Sequence, residues 1–92
     1  MDASSRVEVR YCTQCKWLLR AAWVAQELLS TFSEELSEVA LIPGKGGLFE
    51  VRVNGELLWC REKEGGFPQI KELKKRLRDH VDPARSLGHI DR

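Results

Sequence analysis

Cys12 and Cys15, three residues apart in Tyr11-Cys12-Thr13-Gln14-Cys15-Lys16, are the side chains whose type and spacing could do chemistry. Such a pair can pass between dithiol and disulfide, and so exchange with another disulfide, if one sulfur is held as a thiolate. The flanking residues favour that state. Val7 to Tyr11 alternates apolar and polar with the period of a half-buried strand, whereas Trp17 to Phe32 is apolar-rich and helix-forming. A strand that stops where a helix begins sets Cys12 beside unpaired backbone N–H groups and the positive end of the helix dipole. Lys16 adds positive potential, and neutral Thr13 and Gln14 add none; all three are expected to touch an incoming partner. Exposure at the strand end favours Cys12 as the attacking sulfur with Cys15 resolving, but the spacing leaves the order of attack open.

Other candidate residues read differently. Cys60, His80 and His89 are isolated from one another, so a second ligand pair at zinc spacing is missing and no metal is expected. Cys60 reads as a small core hydrophobe, and the two histidines as solvent-facing. Gly44-Lys45-Gly46-Gly47 lacks the spacing and the following Lys-Ser/Thr of a phosphate loop. Gly46 and Gly47 instead supply backbone freedom where a peptide or glutathione could approach the thiols. The basic run Lys71, Lys74, Lys75, Arg76 and Arg78 is diluted by Glu72 and Asp79 and has no aromatic platform, so it reads as a solvated helix face and not as a nucleic-acid site.

The elements that must position the thiols follow from the remaining pattern. On the first helix, Trp17, Leu18, Ala21, Ala22, Val24, Ala25, Leu28, Leu29 and Phe32 form a core-facing stripe, and Leu19 and Trp23 fall outside it as an i, i+4 pair. That pair is expected either to dock a redox partner or to pack against the C-terminal residues through Leu87 or Ile90. Leu36 to Ile42 reads as a short, largely buried strand, followed by a loop at Pro43 to Gly47. Leu48–Val53 and Glu56–Arg61 flank Asn54-Gly55, a two-residue type I′ hairpin signal. The turn would pair Val53 with Glu56, Val51 with Leu58 and Phe49 with Cys60. Trp59 and Leu57 would then point to the uncovered face, as a partner or homodimer contact. Glu62 to Gly66 reads as a loop, Pro68 as the first turn of a second helix carrying Ile70, Leu73, Leu77 and Val81, and Pro83 as its stop.

The expected order is therefore β-α-β-β-β-α in a four-stranded mixed sheet, with strands 1 and 2 parallel and strand 3 antiparallel beside strand 1. That arrangement would bring Gly46, Gly47 and Leu48 against the thiols. The 92 residues suit one domain, with a core at about 6–82 and a tail at 84–92 that is mobile or packs through Leu87 and Ile90. With 15 basic and 14 acidic residues the net charge is +1, giving no global pull toward nucleic acid or an anionic membrane. No apolar run would span a bilayer, and Asp2, Arg6, Glu8 and Arg10 interrupt any signal-peptide core, so a cytoplasmic location is expected. There, three cysteines do not form a structural disulfide framework.

Taken together, these residues resemble the selenoprotein W-like (Rdx) family, a compact branch of the thioredoxin-like fold. The resemblance rests on strand 1 running into Tyr11-Cys12-Thr13-Gln14-Cys15, on Trp17-Leu18-Leu19-Arg20-Ala21-Ala22-Trp23, on Gly47-Leu48-Phe49-Glu50-Val51, and on Gly65-Gly66-Phe67-Pro68. It implies a two-layer α/β sandwich and a thiol redox role with no bound cofactor, glutathione or a thioredoxin-type protein serving as reductant. Family members with selenocysteine carry it at the position of Cys15, which implies that Cys15 could be the attacking atom. The alternative is a redox-sensitive protein-binding module without turnover. Gly47 stands where larger thioredoxin-like relatives have a proline before the strand.

Overall fold

The computed structural model describes residues 5–88 of the chain. Its elements are β1 (Ser5–Cys12), α1 (Leu18–Thr31), β2 (Leu36–Gly44), β3 (Phe49–Val53), β4 (Glu56–Cys60), α2 (Arg61–Glu64) and α3 (Ile70–Val81). The four strands form one mixed sheet in the order β2-β1-β3-β4. β1 runs parallel to β2 and antiparallel to β3, which is the arrangement that the crossover and hairpin require.

The period-two pattern of β1 decides which face is covered. Val7, Val9 and Tyr11 meet Val53, Val51 and Phe49 of β3 on one face. There they pack with Ala21, Val24, Leu28 and Phe32 of α1 and with Leu73 and Leu77 of α3. Burying each of the larger apolar side chains contributes roughly 1.5–3 kcal/mol. Arg6, Glu8 and Arg10 point the other way, across from Arg52 and Glu50, and no helix covers them. That face is tied by ion pairs: Arg6 with Glu8 and Glu38, Arg10 with Glu8, and Arg52 with Glu50.

Several expectations are corrected. β2 is exposed over much of its length, because it is the sheet edge with one neighbour; it continues through Pro43, whose missing N–H is harmless there. The Asn54-Gly55 turn forms with both residues at positive φ, and Val53 pairs with Glu56 as expected. A bulge then intervenes: Arg52 lies opposite Leu57, whereas Val51 lies opposite Trp59 and Glu50 opposite Cys60. One extra residue in β4 flips every side chain beyond it. Trp59, expected on the open face, is 9% exposed in the core, with its Nε1–H donated to Gly66 O at 3.0 Å. Cys60, expected in the core, is half-buried on the other side.

The first helix buries a narrower stripe than its sequence pattern predicts, since Leu18 and Leu29 are exposed. Arg61, expected to end the fourth strand, and residues 62–64, expected as loop, form the short helix α2, ended by Gly65 at positive φ. Pro68 lies just before α3, not in its first turn. On α3, Lys74 pairs with Glu27, Arg76 with Glu64 and Glu72, and Arg78 with Asp79. His80 pairs with Glu56 at 3.1 Å. The start of the expected tail is attached to the core: Arg85 binds the buried Glu35 at 2.9 Å, and Leu87 packs against the core cluster. His89 and Ile90 lie outside the described residues. Among those described, no helix is long and apolar enough to cross a membrane.

Candidate functional site

β1 ends at Cys12, and its last pairings aim the thiol segment at the loop between β2 and β3. The Cys12 N–H donates to Leu48 O at 2.7 Å, and the Thr13 N–H and hydroxyl both donate to Gly44 O, at 3.1 and 3.3 Å. Thr13 to Lys16 then turns tightly, with the Lys16 N–H donated to Thr13 O at 3.0 Å and Lys16 itself at φ 60°. Trp17 precedes the first helical residue and carries the chain into α1. Thr13, Gln14, Cys15 and Lys16 are all exposed on this turn.

The two sulfurs differ in access and in proton affinity. Cys12 is 1% exposed, whereas Cys15 is exposed. This corrects the expectation that the strand end would expose Cys12. The Cys15 backbone N–H donates to Cys12 Sγ at 3.3 Å. Hydrogen bonding from the Cys15 thiol holds the Cys12 thiol below the ordinary range; burial opposes this, and the backbone amides of Gly47, Cys15 and Gln14 assist it. Its bond to Cys12, then burial and the neighbouring negative charge, push the Cys15 thiol up, against the Gly47 amide and the Arg61 cation. Of the two thiols, Cys12 therefore gives up its proton the more readily and Cys15 holds its proton the more firmly. The stabilising N–H groups come from the turn and from Gly47, not from the first turn of α1.

Gly46 and Gly47 stand at φ 69° and 76°, the left-handed region that a side chain strains. The constraint at Gly47 is conformational, since an added Cβ would meet only Arg61 Nη2, at 3.7 Å. Gly44 is held differently: a Cβ there would lie 2.6 Å from Leu48 Cδ2. Beside this loop lies a cavity of about 220 Å³ lined by Lys45, Gly46, Gly47, Leu48, Phe49, Cys60 and Glu62. The strand bulge brings Cys60 to its wall.

Aromatic residues brace the same end of the sheet. Trp17 meets Phe67 and Phe49 edge-on, at 4.8 and 6.4 Å between ring centres, and Phe49 meets Phe67 at 5.2 Å. Arg20 lies 3.9 Å over the Phe67 ring, and Arg61 lies 4.9 Å over Trp17. Sequence reasoning missed Arg61 and Arg20 as parts of this end. A signal existed: β4 runs parallel to β1, so the residue after Cys60 must emerge at the end of the sheet where Cys12 does. Leu19 and Trp23, outside the apolar stripe, are 84% and 50% exposed on the first turns of α1. Among the described residues no three His, Cys, Asp or Glu side chains converge as a metal site.

The model of the Rdx family matches residues 6–79. The chain belongs to that family. Among solved structures it is similar to a selenoprotein W-related protein from Vibrio cholerae, with 54% identity and a TM-score of 0.84 over 86% of this chain and 99% of that one. A protein from Bordetella parapertussis is similar at 62% identity and a TM-score of 0.82, over 84% and 98%. Migration and invasion enhancer 1 of Mus musculus is 34% identical over 82 residues, and that of Bos taurus 33% over 75. The aligned segments are 85% and 79% of this chain, and 68% and 62% of the two mammalian proteins. These likenesses agree with the two-layer α/β architecture and the mixed sheet read from the sequence.

Proposed function

We propose that this Rdx protein exchanges thiols and disulfides through Cys12 and Cys15, with Cys15 making the first contact. The observation that carries this reading is the pairing of an exposed thiol, Cys15, with a buried sulfur, Cys12, that accepts the Cys15 backbone N–H at 3.3 Å and whose proton affinity its neighbour lowers. An oxidised partner reaches Cys15; the Cys15 proton passes to Cys12 Sγ as Cys15 Sγ attacks, forming a mixed disulfide and expelling one partner thiolate. Cys12, returned to thiolate by loss of that proton, then attacks Cys15 Sγ. The second partner thiolate leaves, and a Cys12–Cys15 disulfide remains. The pair loses two electrons and its one shared proton; the partner disulfide gains the electrons, its two sulfurs leave as thiolates, and the proton released by Cys12 passes to one of them. Glutathione or a thioredoxin-type dithiol resets the pair, which suits a reducing cytoplasm. Thr13, Gln14, Lys16, Gly46 and Gly47 border the approach, and Leu19 and Trp23 offer apolar contact beside it.

Disulfide reductase turnover and reduction potential of wild type, Cys12→Ser and Cys15→Ser test the reading. Turnover lost in both variants and a wild-type potential between about −270 and −180 mV are expected. Wild-type turnover at background would leave the second reading, a redox-sensitive binding module, which the exposure of Leu19 and Trp23 favours. Thiolate absorbance against pH locates the proton. Hydrogen bonding from Cys15 lowers the Cys12 titration, so its thiolate forms at lower pH than that of a free cysteine and is lost as pH falls through the lowered value. Cys15→Ala removes the hydrogen-bond donor and moves that titration upward; an unmoved curve would refute the assignment.

A further inference from the structure

Six of the eight described arginines are held by carboxylates: Arg6, Arg10, Arg52, Arg76, Arg78 and Arg85. Arg20 and Arg61 are not, and both sit at the thiol end. Their guanidinium groups rest against one aromatic ring, with Arg20 Cζ 3.9 Å and Arg61 Cζ 5.6 Å from the centre of Phe67. Arg61 also lies over Trp17, and its buried Nε has no hydrogen-bond partner. Aromatic faces hold a cation in place without neutralising it. Two cations held against one ring repel each other, and a bound anion would relieve that cost. Lys45 and Glu62 line the neighbouring cavity with opposite charges and offset one another there, so the excess stays with the two arginines. Arg20 stands between Leu19 and Trp23 in the chain, which joins the unpaired charge to the exposed apolar residues of α1.

Resting on the exchange reading above, we propose that Arg20 and Arg61 form a carboxylate-recognition site beside Cys15. The disulfide exchanged there then belongs to a polypeptide with an acidic residue next to its cysteine. The carboxylate binds the guanidinium pair, and apolar residues of the same segment lie on Leu19 and Trp23. Charge-assisted hydrogen bonds from arginine to carboxylate supply the preference, and salt screens its exposed part.

Three synthetic peptide disulfides that differ only at the residue beside the cysteine, Glu, Gln or Lys, test this with the full-length protein. Exchange with the Glu peptide is expected to be about tenfold faster than with the Gln peptide and slowest with the Lys peptide. The spread should narrow at high salt and in Arg20→Gln/Arg61→Gln, where the ratio between peptides is the readout. A Cys12→Ser/Cys15→Ser variant, which cannot exchange, should bind the peptides in the same order by tryptophan fluorescence. That order does not depend on the thiols, so a failure of exchange alone would strike the redox reading and not this one. Equal binding of the Glu and Lys peptides, or an order that survives the arginine substitutions, would overturn the proposal. A small dicarboxylate disulfide exchanging as fast as the Glu peptide would also overturn it, by assigning the arginines to a small molecule.

Discussion

The open face of the sheet and the end of the sheet at Cys12 carry similar residue types but settle them in opposite ways. On the open face Glu8 is gripped by Arg6 and Arg10, and Glu50 by Arg52, so charge is neutralised inside the molecule. At the thiol end Arg20 and Arg61 rest on aromatic rings, Leu19 and Trp23 face solvent, and the buried Cys12 lies under an exposed thiol that lowers its proton affinity. A face whose groups satisfy one another has little left to offer a partner. An end whose cations lack carboxylate partners, whose apolar side chains face solvent and whose outer thiol is exposed is where binding can gain free energy.

The sharpest way to break the contrast is to remove the support beneath the thiol end. Phe49 is fully buried, pairs with Tyr11 across the sheet, and stacks edge-on with Trp17 and Phe67. Phe49→Ala is expected to cost about 3–5 kcal/mol in urea unfolding, because it opens a cavity and releases both rings. A loss below about 1 kcal/mol would mean that the aromatic cluster is not what positions the turn. The open face breaks more gently, and through pH. Its hydrogen bonds with Arg6 and then Arg10 hold the Glu8 carboxyl below the usual carboxylate range. A depressed pKa contributes stability above the unfolded value and loses it as pH falls through the folded one. Glu8→Gln should therefore be less stable than wild type at neutral pH, and the gap should close in acid. A gap that persists unchanged into acid would assign the loss to packing instead of charge.

Much of this contrast was legible in the residues. The alternation of Val7, Glu8, Val9, Arg10 and Tyr11 separates the two faces of β1, Asn54-Gly55 fixes the turn, and the two cysteines mark the reactive end. What the pattern hid is physical. A bulge costs one residue and has no composition of its own, yet the one after Leu57 exchanges the faces of Trp59 and Cys60 and removes Trp59 as a docking residue. Exposure of the thiols depends on a loop contributed from β2 and β3, so local reasoning at the strand end inverted Cys12 and Cys15. Arg61 acts on Cys15 across the sheet, through topology that single-segment reading does not weigh.

The smallest effect on stability belongs to Leu19 and Trp23, and it discriminates best between the two regions. Both project from α1 outside the buried stripe of Ala21, Val24, Ala25 and Leu28, so a double Leu19→Ser, Trp23→Ser substitution opens no cavity. Urea unfolding should move by no more than about 0.5 kcal/mol per site, the usual range for exposed positions. Exchange with a small uncharged disulfide should persist, because the sulfurs and the Gly47 amide are untouched. Exchange with a polypeptide disulfide should slow, since the apolar contact that holds the segment against the thiol end is gone. A folded variant that keeps full exchange with its protein partner would place recognition elsewhere. The unpaired arginines would then have to hold the partner without the helix face beside them.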